Sequence, residues 1–177
     1  MKTSKRIELP KVVLIYSVMS ALALMWIYLA GLDATLLGIK GIPEATFLAF
    51  FLFVASALLT THTPWAQKLE EFFAQIVTPL SLPVIFLMAL CSSVGEEFFF
   101  RGAVQNQFGL IPASITFGCV HIPWNKLMIP WTLMAIFMGF VLGGLYIYAG
   151  NLLAPILLHF MINFLNLWAI NQKYSVF

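Results

Sequence analysis

The chain has 177 residues, 62% of them hydrophobic and only 9% charged, and its mean hydropathy is +0.96. A soluble domain carries about 25% charged residues, so this composition excludes an ordinary soluble domain and makes the bilayer the main solvent. A formal net charge of +2 is too small to mark a nucleic-acid binder.

In a bilayer every backbone polar group must be satisfied internally. The expected fold is therefore all-α, a polytopic bundle of about six spans plus one interfacial helix, forming a single integral membrane domain over 1–177. Met1 to Lys11 carries Lys2, Lys5, Arg6 and Lys11 ahead of an apolar stretch at about 12–31. That stretch is near the roughly 20 residues of a spanning helix and longer than a signal-peptide core of about 7–15, so it reads as a retained first helix. The second segment is about 45–60. Residues 65–78, with Lys68, Glu70 and Glu71 opposite Leu69, Phe72 and Phe73, read as an amphipathic helix at the interface. Pro79 and Pro83 bracket the start of a long third segment that runs to about Phe108. The fourth, about 112–122, is cut short by Pro123. The fifth is about 130–149 and the sixth about 152–171, with Pro155 tolerated in its first turn.

Gly139 and Gly143 form a Gly-x-x-x-Gly pair, which predicts close packing of the fifth segment against a neighbour. Trp124, Trp131 and Trp168 fall near segment ends and read as interfacial anchors. Cys91 and Cys119 have no partner at metal-ligand spacing and read as inert core thiols. Four of the nine Lys/Arg residues lie before or at the start of the first helix. That bias predicts a cytoplasmic N-terminus, and six crossings return the C-terminus to the same side of a bacterial-type inner membrane.

The third segment contains Glu96, Glu97 and Arg101, although the chain has only seven acidic residues. Carboxylates and a guanidinium in hydrocarbon are expensive unless paired or solvated in a protein cavity, so they mark a site. Glu97 and Arg101 are four apart and share a helical face; Glu96 points about 100° away. The spacing predicts a structural pair, Glu97–Arg101, and a free base, Glu96, able to activate water. His159 and Asn163, also four apart, offer two donors to a developing oxyanion. His121, on another segment, is placed to orient the attacking water with Glu96.

Glu96-Glu97-x-x-x-Arg101, Phe117-x-x-x-His121 and His159-x-x-x-Asn163 resemble, in order and spacing, the three motifs of the CPBP family. These are the CaaX-prenyl-protease and bacteriocin-processing type intramembrane proteases. The likeness spans roughly residues 80–170. It implies a glutamate-type intramembrane endopeptidase in which Glu96 and His121 activate water. His159 and Asn163 would form the oxyanion hole, Glu97 and Arg101 would hold the site together, and no cofactor or metal is called for. The implied partner is a membrane-anchored protein or peptide, processed near a terminus.

At about 1.5 Å per residue, Glu96 lies some 20–25 Å along a helix starting near residue 81, in the outer half of a core about 30 Å thick. The histidines lie roughly 12–15 Å from the outer ends of their segments. A site opening outward is expected, which argues for protein sorting or peptide maturation rather than prenyl-protein processing at the cytosolic face. Three rivals remain at this point. A zinc site could use the Glu and His residues, although Arg101 would repel the cation. A Cys–His protease could use Cys91 or Cys119. A transporter, or an immunity or binding protein, could retain the motif without cleaving anything.

Overall fold

A computed structural model describes residues 8–121 and 126–175. The described residues form seven helices: α1 (Leu9–Ala30), α2 (Ile42–His62), α3 (Pro64–Val77), α4 (Leu82–Glu97), α5 (Leu110–Cys119), α6 (Ile129–Ala149) and α7 (Leu153–Tyr174). α4 continues without interruption through a π-helical stretch, Phe98–Gln105, and a last turn, Asn106–Phe108. Proline in the first turn opens α1, α2, α3, α4 and α6, where its missing N–H is not needed and its fixed φ suits the helix. Pro123 and Trp124 lie outside the described residues.

Five of these stretches are long and apolar enough to cross a membrane: Leu9–Ala30, Ile42–His62, Leu82–Phe108, Lys126–Ala149 and Leu153–Tyr174. The expected fourth span is the exception. α5 has ten residues, about 15 Å of helix, half of a hydrocarbon core about 30 Å thick.

Contacts between the connections nevertheless show that the chain changes ends across this short helix. At one end the backbone N–H groups of Leu152 and Leu153 donate to Thr35 O and Leu36 O, at 2.9 and 3.0 Å. Asn151 and Asn106 donate to Lys40 O and Asp33 O at the same end, each at 3.1 Å. At the other end Leu80 and Asn171 exchange two hydrogen bonds, of 2.8 and 3.0 Å. Lys173 also reaches Glu70 there, at 2.7 Å, and Phe73 packs on Trp131. α5 starts just after Asn106, and the chain is at the opposite end by Trp131.

The interfacial helix expected at 65–78 is α3, lashed to α6 and α7 by these last contacts. The Gly-x-x-x-Gly pair packs as expected. A Cβ on Gly139 would stand 2.8 Å from Ser114 Cα on α5, and one on Gly143 would stand 2.5 Å from Gln105 Oε1. Trp131, near the start of α6, meets Phe73 and His121 edge-on at 5.2 and 4.8 Å. The buried apolar cluster joins α2, the π-helical continuation of α4, α5, α6 and α7 around Phe100, Phe117, Leu142 and Leu158. The polar site sits against it.

Candidate active site

Glu96 and Glu97 end the regular part of α4, at 7% and 0% exposure, and Arg101 follows in the π-helical stretch at 1%. π-helical turns are uncommon and concentrate at functional sites. Arg101 Nη1 donates to Glu97 Oε1 at 3.1 Å, so the expected ion pair forms. The rest of the guanidinium is held from two other helices. Nη2 donates to Gly139 O on α6 at 3.1 Å, and Cζ lies 4.5 Å from the centre of the Phe117 ring on α5.

His159, on α7, joins both carboxylates. Its Nδ1 is 2.8 Å from Glu97 Oε1, and its Nε2 faces Glu96 Oε2 at 3.9 Å. Glu97 thus contacts both Arg101 and His159, and the His159 ring bridges the two carboxylates.

Glu96 Oε1 accepts a hydrogen bond from the Tyr16 hydroxyl at 2.9 Å. Its Oε2 is buried and has no hydrogen-bond partner among the described residues. Asn163, one turn beyond His159, donates from Nδ2 to Ser92 Oγ at 3.0 Å. Ser92 lies one turn before Glu96 on α4, so this bond sets α7 against α4 beside the carboxylate.

His121 is attached less directly. Its Nδ1 is 2.6 Å from Phe117 O, and its ring packs between Phe117 and Trp131, at 4.9 and 4.8 Å. Thr132 donates to its backbone carbonyl. Among the described residues it has neither a hydrogen bond nor an ion pair to Glu96. Phe117, whose ring centre is also 6.0 Å from that of His159, stands between the two histidines.

The structure thus gathers Glu96, Glu97, Arg101 and His159 by direct contact, Asn163 through Ser92, and His121 through Phe117. Tyr16 and Ser92 had no sequence signal: each is one hydroxyl among several in an apolar span. Among the described residues no group of three or more His, Cys, Asp and Glu side chains is arranged to hold a metal. Both cysteines are free, and Cys119 is exposed rather than in the core.

Counting along the helix, Glu96 lies about 21 Å from Leu82 and about 18 Å from Phe108. The 27-residue stretch is longer than the hydrocarbon core, so helix length places the site near mid-membrane and favours neither face.

Residues 78–165, about half of the chain, match the family described as type II CAAX prenyl endopeptidase Rce1-like. The uncharacterized protein YpbD of Bacillus subtilis (strain 168) is 34% identical over 91 residues, 50% of this chain and 47% of that protein. The chain thus spans about half the length of the curated relative it matches. No solved structure matches it significantly. The matched segment contains the Glu96 cluster and His121, His159 and Asn163, and on this ground the chain belongs to the CPBP family of CaaX-protease-type membrane proteins.

Proposed function

We propose that this protein is an intramembrane endopeptidase in which Glu96 activates water, and that its substrates are membrane-anchored proteins or peptides. The observation that carries the reading is the buried, unpartnered Glu96 Oε2 facing His159 Nε2 at 3.9 Å. At this separation one water molecule between the two atoms can hydrogen-bond to both Oε2 and Nε2. Glu96 takes one proton from this water as its oxygen attacks the scissile carbonyl carbon, forming a tetrahedral oxyanion. The Asn163 amide, with a second N–H beyond the one given to Ser92, supports the developing charge. The proton passes from Glu96, directly or through His159 Nε2, to the leaving amine as the C–N bond breaks. Water is consumed as OH on the acyl carbon and H on the nitrogen. Arg101 holds Glu97 in place, and Glu97 keeps His159 aimed. His121 lies on the far side of the Phe117 ring, where it can contact the substrate backbone.

A site halfway along a lipid-embedded helix is reached by polypeptides that are themselves held in the membrane. With a cytoplasmic N-terminus, as the charge bias predicts, a site that opens on the outer side would take substrates that are exported and sorted. Prenylated proteins approach from the cytosolic face. Glu96→Gln, nearly isosteric, tests the function in cells through a comparison of protein termini between wild-type and variant membranes. The reading predicts fragments that vanish in the variant while the protein's own abundance stays normal. Identical termini would favour the rival, a binding or immunity protein that keeps the motif as scaffold.

A further inference from the structure

α1 lies outside residues 78–165, the segment that matches the family, yet it supplies the hydrogen bond that holds the proposed catalytic base. We propose that Tyr16 is a positioning residue of the active site, which makes the N-terminal helix part of the catalytic unit. This rests on the hydrolytic role of Glu96 proposed above.

Two independent features place Tyr16 there. Its hydroxyl donates to Glu96 Oε1 at 2.9 Å, across a sequence separation of 80 residues. The second feature is a close approach of the two helices one residue earlier. A Cβ on Gly95 would stand 3.0 Å from Tyr16 Cδ1 and 3.1 Å from both its Cβ and its backbone oxygen. The missing side chain at Gly95 lets α1 lie directly on α4 where Tyr16 must reach Glu96. The contact therefore involves the backbone of α1 and is no chance touch of a long side chain.

The chemical consequence follows from the shape of a carboxylate. The terminal torsion of a glutamate is broad and two-fold, so an untethered Glu96 would share its two oxygens between several orientations. Tyr16 binds one oxygen, and among the described residues no other hydrogen bond reaches the Glu96 carboxylate. The remaining oxygen, Oε2, is thereby turned toward His159 Nε2. Tyr16 acts through Glu96 and does not itself touch the reacting atoms.

Tyr16→Phe removes one oxygen and keeps the ring against Gly95. The full-length protein in proteoliposomes would be assayed with a quenched fluorescent peptide. Its sequence is a cleavage site found by the Glu96→Gln comparison of termini. Loss of one hydrogen bond to a charged group corresponds to about a 10- to 100-fold fall in kcat, with KM and the melting temperature unchanged. Gly95→Ala, which displaces α1 without removing the hydroxyl, should lower kcat in the same sense. If Tyr16→Phe lowers the melting temperature but leaves kcat intact while Glu96→Gln is inactive, Tyr16 is only a helix staple and the inference falls, with the protease reading untouched. If Glu96→Gln itself leaves all termini unchanged, the protease reading falls and takes this inference with it. An infrared difference spectrum between wild type and Glu96→Gln isolates the Glu96 carboxylate band. Tyr16→Phe should shift that band, and an unshifted band also overturns the proposal.

Discussion

Arg101→Leu should be among the most destabilising single changes available in this chain, and the structure says why. The guanidinium is 1% exposed and Glu97 is 0% exposed, so removing the cation leaves a carboxylate buried with His159 as its remaining partner. Breaking a buried pair from one side costs about 3–5 kcal/mol. Protonation of His159 would offset part of this, because its Nδ1 already lies 2.8 Å from Glu97. A net loss toward the lower end of that range, about 3 kcal/mol, is therefore expected. Arg101→Leu combined with Glu97→Leu removes both charges. It should recover at least half of that loss, since replacing a buried pair by apolar groups is often near neutral. Reversible unfolding in mixed micelles of increasing SDS content measures both variants. The reasoning is refuted if Arg101→Leu costs less than about 1 kcal/mol, below the floor for a broken buried pair. It is equally refuted if the double variant is no more stable than the single one, because the loss would then come from shape and not from charge.

Gly139→Ala should destabilise by about 1–3 kcal/mol, the usual cost of overpacking, because its Cβ would press on the Ser114 backbone. Gly144→Ala, with nothing within 4 Å, should be neutral or slightly stabilising in the same unfolding assay. Ser92→Ala frees the Asn163 amide from α4 and should lower kcat several-fold with little change in thermal stability; an unchanged kcat would remove Asn163 from the oxyanion role. Cysteine labelling from either side of sealed vesicles should find residues 31–41 and 105–109 on one face. Tyr174 and residues 78–80 should label from the opposite, cytoplasmic face. Labelling of the 105–109 turn from the cytoplasm would reverse the orientation. Cleavage should survive exhaustive chelation, and loss restored by added zinc would revive the metal reading.

The bundle was legible because its signals are local. Long apolar runs, prolines that open helices and the Gly139–Gly143 spacing all act within a few turns, and the structure follows them to within a few residues. The fourth segment, expected to be short because of Pro123, is α5, which carries the chain from one end of the bundle to the other although it is too short to count as a full span. Glu97–Arg101 was legible for the same local reason, four residues being one helical turn. The tertiary partners were not. The bond of His159 to Glu97 spans 62 residues and that of Tyr16 to Glu96 spans 80. Nothing in a one-dimensional pattern distinguishes Tyr16 from the other hydroxyls in α1. The outer-half depth estimate assumed a helix that begins at the membrane edge. A helix of 27 residues overshoots the core and removes that reference point.

The most direct test of the central claim is cleavage by the purified, reconstituted protein. Wild type would be compared with Glu96→Gln and with the double variant Cys91→Ser, Cys119→Ser, on one membrane-anchored substrate. The account predicts that wild type and the cysteine-free protein cut at the same bond with similar kcat. Glu96→Gln, folded and equally abundant, should be at least about a thousandfold slower, as expected for loss of the group that activates the water. Undiminished cleavage by Glu96→Gln would contradict the account.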